Sequence, residues 1–255
     1  MKDNPLRKYG WRPDLPDHRD KVIEFPAERG AAVLPPSVDL RPQCSPVYDQ
    51  GQLGSCTANA IAAAVEFELK KQNLPDFMPS RLFLYYNERV MEGTPDSDSG
   101  AMLRDGMRTL YKQGICTEVL WPYNESQVLA KPSERCYQQA MSYRSVYYAH
   151  VPQTLDYMKK CLAAGFPFVF GFTVYDSFES QQVASTGVMP MPSPDESVLG
   201  GHAVLAVGYD DASQRFIVRN SWGTSWGIEG YFTMPYEYLA NRGLSTDLWT
   251  LRVME

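Results

Sequence analysis

The chain has 255 residues, 44% of them apolar, and a formal net charge of −6. That is enough apolar material for one substantial core or two modest ones sharing an interface. The acidic balance, with no Lys/Arg block, speaks against nucleic acid or an anionic membrane as partner, and no apolar run approaches the roughly 18 residues of a spanning helix.

Met1-Lys2-Asp3-Asn4-Pro5 is polar and lacks the apolar core of a secretory signal. The expected location is the cytoplasm, or outside by a route without a recognisable signal peptide. Residues 1–36 form a Pro-rich arm, including Trp11-Arg12-Pro13-Asp14-Leu15-Pro16. Prolines this dense forbid a continuous helix. Two readings stand: a flexible extension, or a strap across a cleft, held by Trp11, Leu15 and Phe25 and partly inhibitory.

Gln50-Gly51-Gln52-Leu53-Gly54-Ser55-Cys56 then runs into Thr57-Ala58-Asn59-Ala60-Ile61-Ala62-Ala63-Ala64. A cysteine sits where a glycine-rich loop gives way to a helix-favouring run. The first turn of a helix has unpaired N–H groups and a partial positive charge, so a thiol there ionises more easily, and thiolate is its reactive form. Gln50 can offer side-chain N–H donors to the same spot. The arrangement is that of a nucleophile with half of an oxyanion hole beside it.

The helix is predicted from Cys56 to about Lys71, with Ile61, Val65 and Leu69 as one buried stripe. Further helices are predicted near Ser80–Val90, Met102–Lys112 (ended by Gly114) and Thr154–Ala164 (capped by Gly165). From Phe166 the texture turns β-branched and aromatic. Phe168–Val174 and the runs at 202–209, 215–220, 229–234 and 247–253 read as strands. Among these lie Gly200-Gly201-His202-Ala203-Val204 and Asn220-Ser221-Trp222-Gly223. Of three histidines, His18 falls in the arm and His150 just before Pro152, both read as surface groups. His202 is the candidate general base and acid.

With the loop at Gln50–Cys56, the Gly-His-Ala-Val run and the Asn-Ser-Trp-Gly turn in order, the chain resembles the papain-like cysteine proteases. His202 follows Cys56 by 146 residues, within the roughly 130–150 of papain relatives, a spacing that is the handed-down mark of that family. The resemblance covers roughly residues 35–255, starting with Pro35-Pro36-Ser37-Val38-Asp39-Leu40-Arg41. It implies an α+β, two-lobed fold. A mainly helical lobe (37–150) and a mainly β lobe (151–255), antiparallel and barrel-like, flank the active-site cleft.

The resemblance also implies roles. Cys56 is the nucleophile, His202 the acid and base, and Asn220 orients the imidazole under the shield of Trp222. Gln50 and the Cys56 amide hold the oxyanion. Gly100, Met102, Gly201 and Trp222 are the substrate-contact candidates, with Met102 assigned to the pocket for the second residue before the scissile bond.

Departures are plain. Leu53 and the segment Ser97-Asp98-Ser99-Gly100 stand where secreted relatives carry the two ends of a disulfide, and Thr57 replaces the aromatic residue after the nucleophile, which is expected to loosen packing under the site. Gly201 replaces the Asp or Asn often found before the histidine.

The five cysteines are odd in number and contain no Cys-x-x-Cys pair, so neither a zinc site nor a disulfide framework is expected. No cofactor or metal is called for. The expectation is a monomeric cysteine endopeptidase acting on polypeptide. The alternatives are a thiol acyltransferase or deamidase on the same fold, or a latent or non-catalytic papain-like binding module.

Overall fold

The computed structural model describes residues 8–25, 33–144 and 146–253; the parts of the arm at 1–7 and 26–32 lie outside the described residues. The fold grows around one helix. α1 (Cys56–Lys71) follows the Ala-rich run, free of Gly and Pro and therefore strongly helix-favouring. Ile61, Val65 and Leu69 are buried as predicted, but so is every residue from Cys56 to Leu69. Alanine faces let neighbours approach on all sides, so α1 is a central rod instead of an amphipathic surface helix.

α2 (Arg81–Met91) and α3 (Leu103–Gln113) pack on one side of α1. Ser80 caps α2 by accepting from the Phe83 N–H, and Gly114 ends α3 in a positive-φ conformation. The short α4 (Glu134–Ala140) was not legible as a helix in the sequence.

On the other side of α1 lies an antiparallel sheet. β1 (Ser37–Asp39) pairs with β4 (Val198–Asp210), and the remaining order is β2 (Val146–His150), β7 (Ser245–Val253), β3 (Phe168–Tyr175), β4, β5 (Arg215–Arg219), β6 (Tyr231–Pro235). α5 (Leu155–Ala163), α6 (Gln181–Thr186) and α7 (Tyr236–Ala240) complete the second half. β1 and β2 join the sheet from the half of the sequence read as helical.

The first five residues of β3, Phe168–Phe172, are buried without alternation. α1 packs against this strand, and the Phe178, Phe232 and Tyr238 rings gather around Phe172. The pairing of β3 with β4 sets Phe172 opposite His202, Gly171 opposite Ala203 and Thr173 opposite Gly201. That register carries the histidine to the side of the sheet facing the start of α1. All five cysteines are free, and among the described residues no helix is long and apolar enough to cross a membrane.

Candidate active site

Cys56 opens α1. The turn before it is held by side chains: Ser55 Oγ shares a hydrogen bond with Tyr123 Oη at 2.6 Å, and Asn59 Nδ2, from within α1, donates to the Ser55 carbonyl at 2.9 Å. The thiol is fully buried. Burial pushes it up to about 11, and the charge of Glu88 adds to this; hydrogen bonds from the backbone of Ala203, Gly10 and Thr57 pull the other way. Loss of solvent therefore outweighs the helix N-terminus that was expected to favour the thiolate.

Thr57 does not leave a loose site. Its Oγ1 donates to Glu88 Oε2 at 2.7 Å, and both residues are fully buried. Burial holds the Glu88 carboxyl well above the usual carboxylate range. A hydroxyl–carboxyl pair thus packs beside Cys56, and the expectation of loosened packing is corrected.

His202 is buried on β4. Its Nε2 lies 2.8 Å from Asn220 Oδ1, which also accepts from the Ser221 N–H at 2.8 Å. An oxygen that accepts from both neighbours leaves Nε2 carrying the hydrogen. Trp222 stacks on the imidazole with centroids 4.9 Å apart and planes 27° apart, and the Phe172 ring meets it edge-on at 5.7 Å. The loop carrying Asn220 is tied to the loop before Cys56 by Gln50 N–H donating to Ser221 O at 2.9 Å and Gly223 N–H donating to Tyr48 O at 2.9 Å.

Gln50 is buried and doubly fixed. Its Oε1 accepts from Ser221 Oγ at 2.7 Å, its Nε2 donates to Leu53 O at 2.8 Å, and Nε2 also faces Lys8 O at 3.5 Å. The carboxamide nitrogen is thereby turned toward the Cys56 loop, with an arm carbonyl in front of it.

Arm residues meet the site from both sides. Trp11 N–H donates to Gly201 O at 2.9 Å, Ala101 N–H donates to Gly10 O at 2.7 Å, and Arg12 N–H donates to Ala101 O at 3.0 Å. Gly100 has φ +74°, and a Cβ there would stand 2.1 Å from Gly10 O; only glycine admits this approach. The substrate-contact candidates Gly100 and Gly201 thus both touch the arm. Met102 sits at the N-cap of α3, its N–H donating to Glu92 Oε1 at 2.6 Å. Tyr9 packs against His202 and Trp222, with its hydroxyl bonded to Glu179.

The Trp11 indole fills a pocket. A Cβ at Gly171 would be 1.8 Å from its Cε2 and one at Gly201 2.6 Å from its Cε3, while its Nε1 donates to Asp247 Oδ2 at 3.1 Å. Farther along, Asp20 pairs with Arg104, Asp17 with Arg108, and Ile23 N–H donates to His150 O at 2.9 Å. Trp11 and Phe25 pack on the core as the strap reading expects, but the Leu15 side chain is 67% exposed. Arg104 instead donates to the Leu15 carbonyl, so this residue is held by its backbone. Asp247 and Gly171 carried no sequence signal, since a pocket floor is assembled from distant strands.

Residues 34–248 match the model described as the papain family cysteine proteases, and the chain belongs to that family. It is therefore a papain-family cysteine peptidase. An uncharacterized peptidase C1-like protein, L477, of Acanthamoeba polyphaga mimivirus is 44% identical over 96% of this chain and 87% of its own length. A cathepsin B-like protein, CP3, of Giardia intestinalis is 31% identical over 84% of this chain and 73% of its own. Among solved structures, xylellain, a cysteine protease from Xylella fastidiosa, superposes with a TM-score of 0.93 at 45% identity, covering 100% of this chain and 99% of the other.

Proposed function

We propose that the chain is a cysteine endopeptidase working through a thioester acyl-enzyme, and that its N-terminal arm holds it latent. Sγ of Cys56 gives its proton to His202 Nδ1, and the thiolate attacks the peptide carbonyl. Gln50 Nε2 and the Cys56 N–H stabilise the oxyanion. The imidazolium protonates the leaving amine, and water activated by the same ring releases the acid and restores the thiol. Asn220 keeps Nε2 occupied, so Nδ1 is the nitrogen that exchanges the proton, and Trp222 keeps water from that hydrogen bond.

The observation that carries this reading is the 2.8 Å His202–Asn220 pair under the Trp222 ring, on the strand facing Cys56. Latency is favoured by the Gly10 backbone at the thiol and the Lys8 carbonyl before Gln50 Nε2.

The test is covalent labelling of the full chain by a peptidyl epoxide, read by intact mass and peptide mapping, with hydrolysis products of a peptide substrate read alongside. One adduct on Cys56, formed faster in Trp11→Ala and lost in His202→Ala, is the expected result. Products carrying an added amine in place of water, or an adduct spread over the other cysteines, would overturn the endopeptidase reading. Equal labelling of the full chain and Trp11→Ala would overturn latency.

A further inference from the structure

One fully buried carboxyl takes no part in the acyl-transfer steps. Glu88 stands on α2 and turns toward α1, where Thr57 Oγ1 donates to its Oε2 at 2.7 Å. α3 closes over it at a glycine: a Cβ at Gly106 would stand 2.4 Å from Glu88 Oε1 and 2.3 Å from Ile61 Cδ1. Oε1 is buried with no hydrogen-bond partner among the described residues. The cation next to it in sequence, Arg89, gives its guanidinium to the carbonyls of Tyr85, Pro95, Ser97 and Val128. An ionised carboxylate here would be neither paired nor solvated, a far larger cost than one unbonded O–H. Glu88 therefore holds its proton, and because Oε2 accepts from Thr57, the proton belongs on Oε1.

We propose that Glu88 is a positioning residue for the nucleophile: as a neutral acid it fixes Thr57, and with it the first turn of α1, without setting a negative charge beside the thiolate. The inference rests on the protease reading above and deepens it. Thr57 follows Cys56 directly, and its backbone bonds the sulfur. Residue 57 thus holds the sulfur by its main chain and ties α1 to α2 by its side chain. An aromatic ring at this position would make the second contact by packing; hydroxyl and carboxyl make it by one directional bond. The carboxyl also brings a consequence that an amide would not. Glu88 can ionise, and its charge opposes the thiolate. Two negative charges would then face each other through the protein interior, where screening is weak. The protonated acid is the form compatible with an ionised Cys56.

The charged or titratable groups facing Glu88 are Cys56 from α1, Asp105 from α3 and Arg89 from its own helix. Asp105 works with burial against ionisation, and Arg89, occupied by its carbonyls, does not reverse them.

The experiment uses the full chain carrying Trp11→Ala as the reference, so that the arm does not limit access. Cys56 is alkylated with iodoacetamide, a neutral reagent that needs only the thiolate. The rate constant is read by peptide mapping from acidic to alkaline pH. Rate constants count only the chains that react, so a misfolded fraction drops out. Glu88→Gln exchanges the neutral acid for a neutral amide of the same shape. The ratio of its rate constant to that of the reference is expected to be constant at low pH, then to rise several-fold as Glu88 of the reference ionises. Thr57→Val, which removes the hydroxyl at nearly the same volume, is expected to slow labelling roughly 2–10-fold, the size of one neutral hydrogen bond. Thr57→Ser is expected to restore most of that loss. A ratio that stays constant at every pH marks a merely structural carboxyl and overturns the proposal, and a ratio that falls with pH does so as well. A Thr57→Ser chain as slow as Thr57→Val also overturns it. In each of these cases peptide hydrolysis by the reference leaves the protease reading standing. A reference that neither hydrolyses peptide nor labels at Cys56 sinks both.

Discussion

The Gln50 carboxamide is oriented from one end and acts from the other. Ser221 Oγ holds Oε1 at 2.7 Å and Leu53 O accepts from Nε2 at 2.8 Å, and in the proposed mechanism these two contacts keep Nε2 at the oxyanion position beside Cys56. Deleting the amide removes a preorganised donor, so Gln50→Ala is expected to cut turnover by about 100–1,000-fold, some 2.7–4 kcal/mol of transition-state stabilisation. Ser221→Ala leaves the amide in place, held by Leu53 O alone, and its loss should be smaller, on the order of one neutral hydrogen bond or about 0.5–1.5 kcal/mol. Rates normalised to the titrated thiol check both. A Gln50→Ala enzyme turning over at the parent rate would remove this residue from the oxyanion hole.

At the level of elements, the arm is a chain of backbone pairings anchored by one large side chain. Trp11 is 7% exposed and joined to the core; truncating such an anchor typically costs about 3–5 kcal/mol. Most of that cost falls on arm docking, because the pocket walls are glycines with nothing to collapse inward. Gly171→Val attacks the same contact from the other side, since a Cβ there already stands 1.8 Å from the indole. Both substitutions are expected to increase protease sensitivity of the arm and to speed labelling of Cys56; an unchanged limited-proteolysis pattern would contradict the anchoring role.

What could be read in the sequence follows the same division. α1 and its neighbours announced themselves through helix-favouring runs and a terminal glycine, and the core strands through β-branched and aromatic runs. The four principal site residues lay in local motifs. α4, α6, α7, β1 and β2 are short, and what fixes them is pairing or packing with partners distant in sequence, such as β1 on β4 and β2 on β7. The Asp247 floor was invisible for the same reason. Its meaning depends on Trp11, 236 positions away, and no local pattern records a contact of that span.

For the whole molecule, docking of the arm is expected to depend on pH through Asp14. This carboxyl is pushed up to about 7, first by burial and then by the charge of Asp247; N–H bonds from Arg104 and Trp249 and the Arg104 guanidinium oppose the shift. The cluster is enclosed by Arg104 from α3, Thr246, Asp247 and Trp249 from β7, and Trp11 and Asp20 from the arm itself, with His150 of β2 behind Trp249. Asp14 freed into solvent returns toward its ordinary value of 3.8, so the docked arm binds protons more tightly than the released one. By linkage, docking has its full strength below the released value and loses it as pH rises through about 7. The labelling rate of the full chain, divided by that of Trp11→Ala to cancel the reactivity of the thiol, should therefore climb as pH rises across this window. In Asp14→Asn, which cannot ionise, the Asp14-dependent part of that slope should vanish. A ratio falling with pH in the parent chain would mean that the arm is held by ionised carboxylates, with the Asp17–Arg108 and Asp20–Arg104 pairs outweighing the buried cluster.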